Sequence, residues 1–428
     1  MPEPSMTRRG LLVVAGTAAL AGCSELESGD SREGISPTEL PDVPDPDEIR
    51  PVLEDDIPVA IERSKLEGAA GRAADLLGEV PIPLGEAEIP NGHVREELTR
   101  AADGAGRHVE RARSATTRLS AMQELRNARS DARFAAEGWA FVEEDRTAAE
   151  LREERREAVE ETNAFRSEHE YVGEDPVRAV VVHARVESLL GRVGSDRDPD
   201  VHHDSSDLLT VAEWGEHAES TRAGLEDARY LHERFTSSLS PDAATLGARF
   251  DAATEALVAD LERRRGELPP EPTEEANEER YTRFVRSRLR SEAESSVDRV
   301  RSADDTAGPV LEATGGLTEF LAHDRLVGRL EDGERFRIED GSDVRAARSD
   351  AVGAIRTALE ESRRPVLARG VLAGAARSIV FADSDIARFR QRVTPARLED
   401  PMREYLIATL RARSVPAASE RVLEALET

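Results

Sequence analysis

The apolar residues from Val211 to Leu239 recur at alternating steps of three and four without a slip: Val211, Trp214, Ala218, Thr221, Leu225, Ala228, His232, Phe235 and Leu239. Only a helix brings such a series onto one face, because a turn takes 3.6 residues. The same period runs through Val94, Leu98, Ala101, Ala105, Val109, Ala112, Thr116, Leu119 and Met122, and again through Leu246, Phe250, Ala253, Leu257 and Leu261. Strand-like character is confined to residues 334–339 (ERFRIE), too few for a sheet. The pattern therefore predicts an all-α fold, an elongated antiparallel bundle of about 9–11 helices in two halves.

The halves divide at Leu268–Pro272, where three prolines interrupt the period. This predicts one helical domain over 52–268 and a second over 273–428. In the first, a helix is expected over 58–79. Residues 93–171 are helical throughout, but one helix of that length would reach ~115 Å. A break is expected near Arg126–Asp131 or at Gly138, with Gly173 as the final cap. Residues 175–193, with Val177, Val180, Val181, Val182, Val186, Leu189, Leu190 and Val193, form the most apolar helix and predict burial on most sides. Ser240-Pro241 suggests that 207–268 folds back as a helical hairpin. In the second domain a break is expected at Gly315-Gly316, and Gly370–Gly374 has the spacing that lets another helix approach closely. Residues 398–410 and 415–426 read as two closing helices.

Composition narrows the setting. There are 87 acidic and 58 basic residues, a formal charge of −29, and only Lys65 among the basic residues is lysine. So negative a surface argues against nucleic-acid binding, which needs cations to displace counterions, and against polybasic adhesion to anionic lipid. The profile resembles proteins of extremely halophilic archaea. In about molar salt the Debye length is ~3 Å, and the self-repulsion of such a surface is screened.

The N-terminus carries a different signal. Arg8 and Arg9 precede an apolar run, Leu11–Leu20, of ten residues. A membrane span needs roughly 20, so 1–22 reads as a signal peptide, and the paired arginines suggest the twin-arginine export route. Leu20-Ala21-Gly22-Cys23 resembles the lipobox of secreted lipoproteins. That resemblance implies lipid attachment at Cys23, a membrane partner through the lipid, and residence on the outer face of the cell membrane. Cys23 is the only cysteine, so the mature body is expected to hold no disulfide and no thiolate nucleophile. Residues 23–51, with five prolines among acidic and small residues, read as a disordered tether.

Chemistry is less legible. Asp196, Asp198, Asp200, His202, Asp204 and Asp207 fall at positions 1, 3, 5, 7, 9 and 12 of a calcium loop. Position 6 is Val201 where a sharp turn wants glycine, position 12 is aspartate where glutamate would chelate, and Pro199 sits inside; a solvated acidic loop is the plainer reading. His202, His203 and His217 with Asp204 or Glu213 are an alternative transition-metal set, Glu213 and His217 sharing a helix face at i, i+4. His183 and His232 lie on apolar faces, where a core histidine is the plain reading and a ligand the sharper one. His93-x-x-Glu96 resembles the metal motif of imelysin-type exported proteins, without the glycine two residues before the histidine. No histidine has a glutamate three residues before it, which counts against a di-iron carboxylate bundle. There is no HExxH, G-x-S-x-G or phosphate loop, so no catalytic residue is assigned and no cofactor is expected beyond calcium. His169-Glu170 and His232-Glu233 lack the second histidine of the first of these motifs. The expectation is a lipid-anchored helical scaffold or interaction module with a cell-surface protein partner; the alternatives are a solute or metal receptor using the groove between the halves, and then a metal-dependent enzyme.

Overall fold

The seam at 211–239 forms one helix, Asp207–Thr236, started by Ser206, whose hydroxyl accepts the Leu209 N–H. The computed structural model describes residues 34–43, 52, 56–193, 202, 206–270 and 280–428. Among them twelve α-helices make up almost all regular structure. In order they are α1 (Arg63–Gly78), α2 (Gly92–Ser114), α3 (Arg118–Glu143), α4 (Ala148–Glu168), α5 (Pro176–Val193), α6 (Asp207–Thr236), α7 (Gly247–Glu267), α8 (Arg280–Ser302), α9 (Gly308–Glu331), α10 (Gly341–Glu361), α11 (Pro365–Ile386) and α12 (Pro395–Glu427). Two two-residue strands, β1 (Val172–Gly173) and β2 (Ala244–Thr245), pair antiparallel. The all-α reading holds, and residues 334–339 form no strand.

Local signals explain where helices break. The expected single break inside 93–171 becomes two, after Ser114 and after Glu143, each followed by a threonine cap: Thr117 accepts the Ser120 N–H, and Thr147 forms a reciprocal capping box with Glu150. Neither predicted position breaks. Gly138 stays helical because a Cβ there would lie 2.4 Å from Leu98 Cδ2; it serves close packing. Gly173 does not cap α4 but lies in β1, against Ala179 and Leu246. Gly315-Gly316 likewise leaves α9 unbroken. The two closing helices are one, α12, which runs through Pro401 and Pro416. Leu398, Tyr405, Val415, Ala418 and Val422 are all buried along it, and that packing holds the turns where proline lacks an N–H.

Two boundaries also move. The hairpin expected over 207–268 does not form: α6 packs on α3, α4 and α5, whereas α7 packs on α8, α9 and α12. The domain end expected at 268 therefore falls before α7. The tether expected over 23–51 is packed in part: within 34–43, Ile35 and Leu40 are buried, and Ile35 exchanges two backbone hydrogen bonds with Val393 at 2.8 and 2.9 Å. Their apolar side chains enter the cluster lined by α10, α11 and α12, which a run of prolines and acids disguised.

Two helical groups result, α1–α6 around α3 and α6, and α7–α12 around α9 and α12. Helix α5 joins them by packing on α6 and on α9. Its burial on most sides, expected from its valines, follows from that position. The largest apolar cluster runs from Val180 and Leu189 of α5 through Phe235 and Phe250 to Phe320 of α9, so residues 35–428 form one compact unit. Helix α11 is long and apolar enough to cross a membrane, yet half of its apolar window is buried in the bundle.

Candidate metal centre

Three histidines from three elements meet at the join. Helix α4 ends at Glu168, so His169 leaves it as the cap and heads the turn into β1. Asp175 starts α5 by accepting the Val177 and Arg178 N–H groups at 2.9 and 3.1 Å, which sets His183 two turns in, fully buried. His232 lies on the buried seam of α6, one turn before its end. One nitrogen from each ring lies within 4.8 Å of the other two.

The surroundings are apolar and aromatic. His169 stands edge-on to Tyr171 at 4.8 Å between ring centres and 4.6 Å from His232. Phe235 lies edge-on to His183, and Phe165 edge-on to both His169 and His232. Burial drives all three imidazoles toward the neutral form. It lowers His169 to about 3, with the charges of His183 and His232 adding to the effect. His183 falls to about 4 despite its bond to the Val172 carbonyl, and His232 is lowered against the pull of Glu170. Neutral imidazole is the form that ligates metal.

The hydrogen bonds assign the nitrogens. His183 Nε2 lies 2.9 Å from the Val172 carbonyl oxygen and donates to it, leaving the Nδ1 lone pair facing His169 Nε2 at 2.9 Å. Such a backbone anchor on the far nitrogen fixes the orientation of a metal-binding histidine. The Nδ1 atoms of His169 and His232 are buried without a hydrogen-bond partner. Metal–nitrogen bonds of about 2.0–2.1 Å separate neighbouring ligand nitrogens by roughly 3.3–3.6 Å, so to hold an ion the 2.9 Å pair has to open and the separations toward His232, within 4.8 Å, have to settle at the same value. Three imidazoles leave one tetrahedral position free.

The residues singled out from sequence fare differently. Asp196, Asp198, Asp200 and Asp204 of the calcium loop lie outside the described residues, as do Arg8, Arg9 and Cys23. Asp207 is the exposed first residue of α6. In the alternative set, His203 is also outside the described residues, while His202 donates its backbone N–H to both Glu213 carboxylate oxygens, at 2.9 and 3.1 Å. Glu213 thus anchors the end of the loop to α6, beside a His217 whose buried Nε2 has no hydrogen-bond partner. The His93-x-x-Glu96 pair is not brought together: His93 faces Glu97 at 3.7 Å and Glu96 pairs with Arg100 at 2.9 Å, both on the exposed side of α2. His169 carries no sequence signal of its own, since His169-Glu170 lacks the second histidine of HExxH. Separations of 14 and 49 residues carry no motif, and only the meeting of α4, α5 and α6 reveals the set.

Residues 64–242 match a family model described as a domain of unknown function (DUF8262), and residues 247–424 match a second described as a domain of unknown function (DUF8264). The first spans α1–α6 and holds all three histidines; the second spans α7–α12, and their seam falls at β2. No curated protein and no solved structure matches the chain.

Proposed function

We propose that this chain is an exported, lipid-anchored helical protein whose body binds a transition-metal ion at His169, His183 and His232. The carrying observation is the convergence of three buried or half-buried imidazoles, one nitrogen of each within 4.8 Å of the other two, with His183 already oriented by the Val172 carbonyl. His232 Nδ1 is buried without a hydrogen-bond partner, at a cost of about 1–3 kcal/mol that ligation through this atom would offset. Imidazole suits zinc, copper, cobalt and nickel rather than calcium. With one coordination position free, a receptor or carrier fits better than a closed structural site. In the anchor proposal, Cys23 holds the body to the outer face of the cell membrane and Arg8-Arg9 direct export; a Cys23→Ser variant moves from the membrane to the soluble fraction.

Cobalt(II) titration followed by visible absorption tests the metal. One equivalent is expected to give the intense bands of a four-coordinate site, lost in His183→Ala. A spectrum identical to free aqueous cobalt would refute the proposal. A second reading, a scaffold that recruits a protein partner, is favoured by Phe284 and Phe381, 46% and 63% exposed on one depression of α8, α11 and α12. Cross-linking on cells would capture such a partner with the wild type and not with a Phe284→Ser, Phe381→Ser variant.

A further inference from the structure

One exposed stretch of this acidic chain carries only cations. Between α11 and α12 it reads Arg388-Phe389-Arg390-Gln391-Arg392-Val393, and Arg397 follows in the first turn of α12; no acid stands between Asp385 and Glu399. All four arginines are exposed. Val393 is buried and Phe389 packs against the cluster lined by α10, α11 and α12, so the loop is pinned from beneath while its cations stay on the surface. Arg388 pairs with Asp385 at 2.9 Å, and Arg397 lies over the Phe389 ring at 5.5 Å. Among the described residues Arg390 and Arg392 have neither an ion pair nor a side-chain hydrogen bond.

The N-terminal segment joins the body at this loop. The two backbone hydrogen bonds of Ile35 go to Val393, the residue after Arg392. Cys23 lies only twelve residues before Ile35. Whatever its conformation, a chain of that length spans at most about 40 Å at 3.3–3.6 Å per residue. A lipid on Cys23 therefore keeps these arginines close to the headgroups, closer than a tether running to residue 51 would.

We propose that Arg388, Arg390, Arg392 and Arg397 form a contact surface for anionic phospholipid headgroups. The inference rests on the anchor reading above: the lipid supplies the hold, and the arginines set which face turns to the bilayer, as in other pairings of a lipid with a basic patch. Guanidinium forks pair bidentately with phosphate oxygens at contact range. The charge of −29 opposes such adhesion from a distance. In about molar salt that field fades within ~3 Å, so only the charges at the point of contact count, and here they are positive.

The test uses the mature chain, residues 23–428, which retains the whole compact unit of 35–428. Cys23, the only cysteine, is coupled to a maleimide lipid in vesicles of phosphatidylglycerol or of phosphatidylcholine, in molar potassium chloride. Phenylglyoxal labelling read by mass spectrometry reports each guanidinium. Labelling of Arg390 and Arg392 is expected to slow about fivefold or more on the phosphatidylglycerol vesicles only, with Arg63 of α1 unaffected. In Arg390→Glu, Arg392→Glu, a change confined to exposed side chains, the matching protection of Arg397 should be lost. Equal labelling on both vesicles would overturn the inference, as when Glu25, Glu27, Asp30 and Glu33 already cover the arginines. So would protection of Arg63 as strong as that of Arg390, or protection of Arg397 unchanged in the variant. Because the vesicle link is chemical, the outcome does not depend on lipidation in the cell, which fractionation of Cys23→Ser tests separately.

Discussion

The Tyr171 hydroxyl donates to Glu187 Oε1 across 2.6 Å, and the same carboxylate accepts the backbone N–H groups of Thr306, Ala307 and Gly308. A side chain of α5 thus serves as the N-terminal cap of α9, 121 residues further on. Tyr171 also lies edge-on to His169. The histidine cluster and the join between the two helical groups therefore share a residue. Removing that hydroxyl in Tyr171→Phe should cost about 1.5–3 kcal/mol, as for a hydrogen bond to a charged group. Hydrogen exchange should quicken at residues 306–310, while cobalt affinity changes little. Unchanged exchange there would mean that the backbone donors suffice.

Acid should destabilise the fold through the histidines. His183 titrates near 6.5 when unfolded and near 4 when folded, because burial opposes its charge. The unfolded state therefore binds the proton first. The stabilisation is complete above about pH 6.5 and is lost as pH falls toward 4. The shift corresponds to roughly 3 kcal/mol for this fully buried ring. Unfolding free energy measured from pH 7 to 4 should drop by about this amount more in the wild type than in His183→Leu. His169 and His183 need no deprotonation between pH 7 and 5, so a fall in metal affinity over that range would report His232 alone.

Asp227 of α6 sits 5% exposed between Lys65 of α1, at 3.2 Å, and Arg126 of α3, at 3.1 Å. Asp227→Ala leaves two cations facing each other inside the first group. A loss of about 3–5 kcal/mol is expected, and it should persist in molar salt because the pair is shielded from solvent ions. The exposed Arg113–Glu110 pair should show no measurable cost when removed. Thermal unfolding across a salt series checks both.

Neighbouring glycines of α9 should respond in opposite directions. A Cβ at Gly316 would lie 2.6 Å from Ser296 Oγ, whereas one at Gly315 meets nothing within 4 Å. Gly316→Leu should cost about 1–3 kcal/mol or more by parting α9 from α8. Gly315→Ala should gain up to about 1 kcal/mol from helix propensity. Melting temperatures of the two variants separate the effects.

Lowering the salt should loosen the whole fold. The charge of −29 is spread over surfaces whose self-repulsion reaches further as the screening length grows from ~3 Å in 1 M salt to ~30 Å in 0.01 M. A melting temperature that does not fall between molar and millimolar salt would contradict the resemblance to halophilic proteins.

By itself the sequence determines the helical class, because a step of three and four in residues such as Val211, Trp214 and Ala218 buries one face only when the backbone is helical. It also determines that α5 is buried, because a helix apolar on most sides has to be covered on most sides. Periodicity carries no partner information, however, and here tertiary packing decides. Gly138 and Gly316 look like breaks and are contacts, while Gly370 looks like a contact and, with nothing within 4 Å of a Cβ there, lines a cleft instead. Helix α7 follows α6 in the chain but packs with α8, α9 and α12, while its Phe250 reaches back to Tyr171 and His183. The metal site depends most on packing. His169, His183 and His232 share no local spacing, and each alone reads as an ordinary core or cap residue. They become a set only where the end of α4, the middle of α5 and the last turns of α6 converge, because donor geometry is a property of atoms within a few ångströms and not of neighbours in the chain.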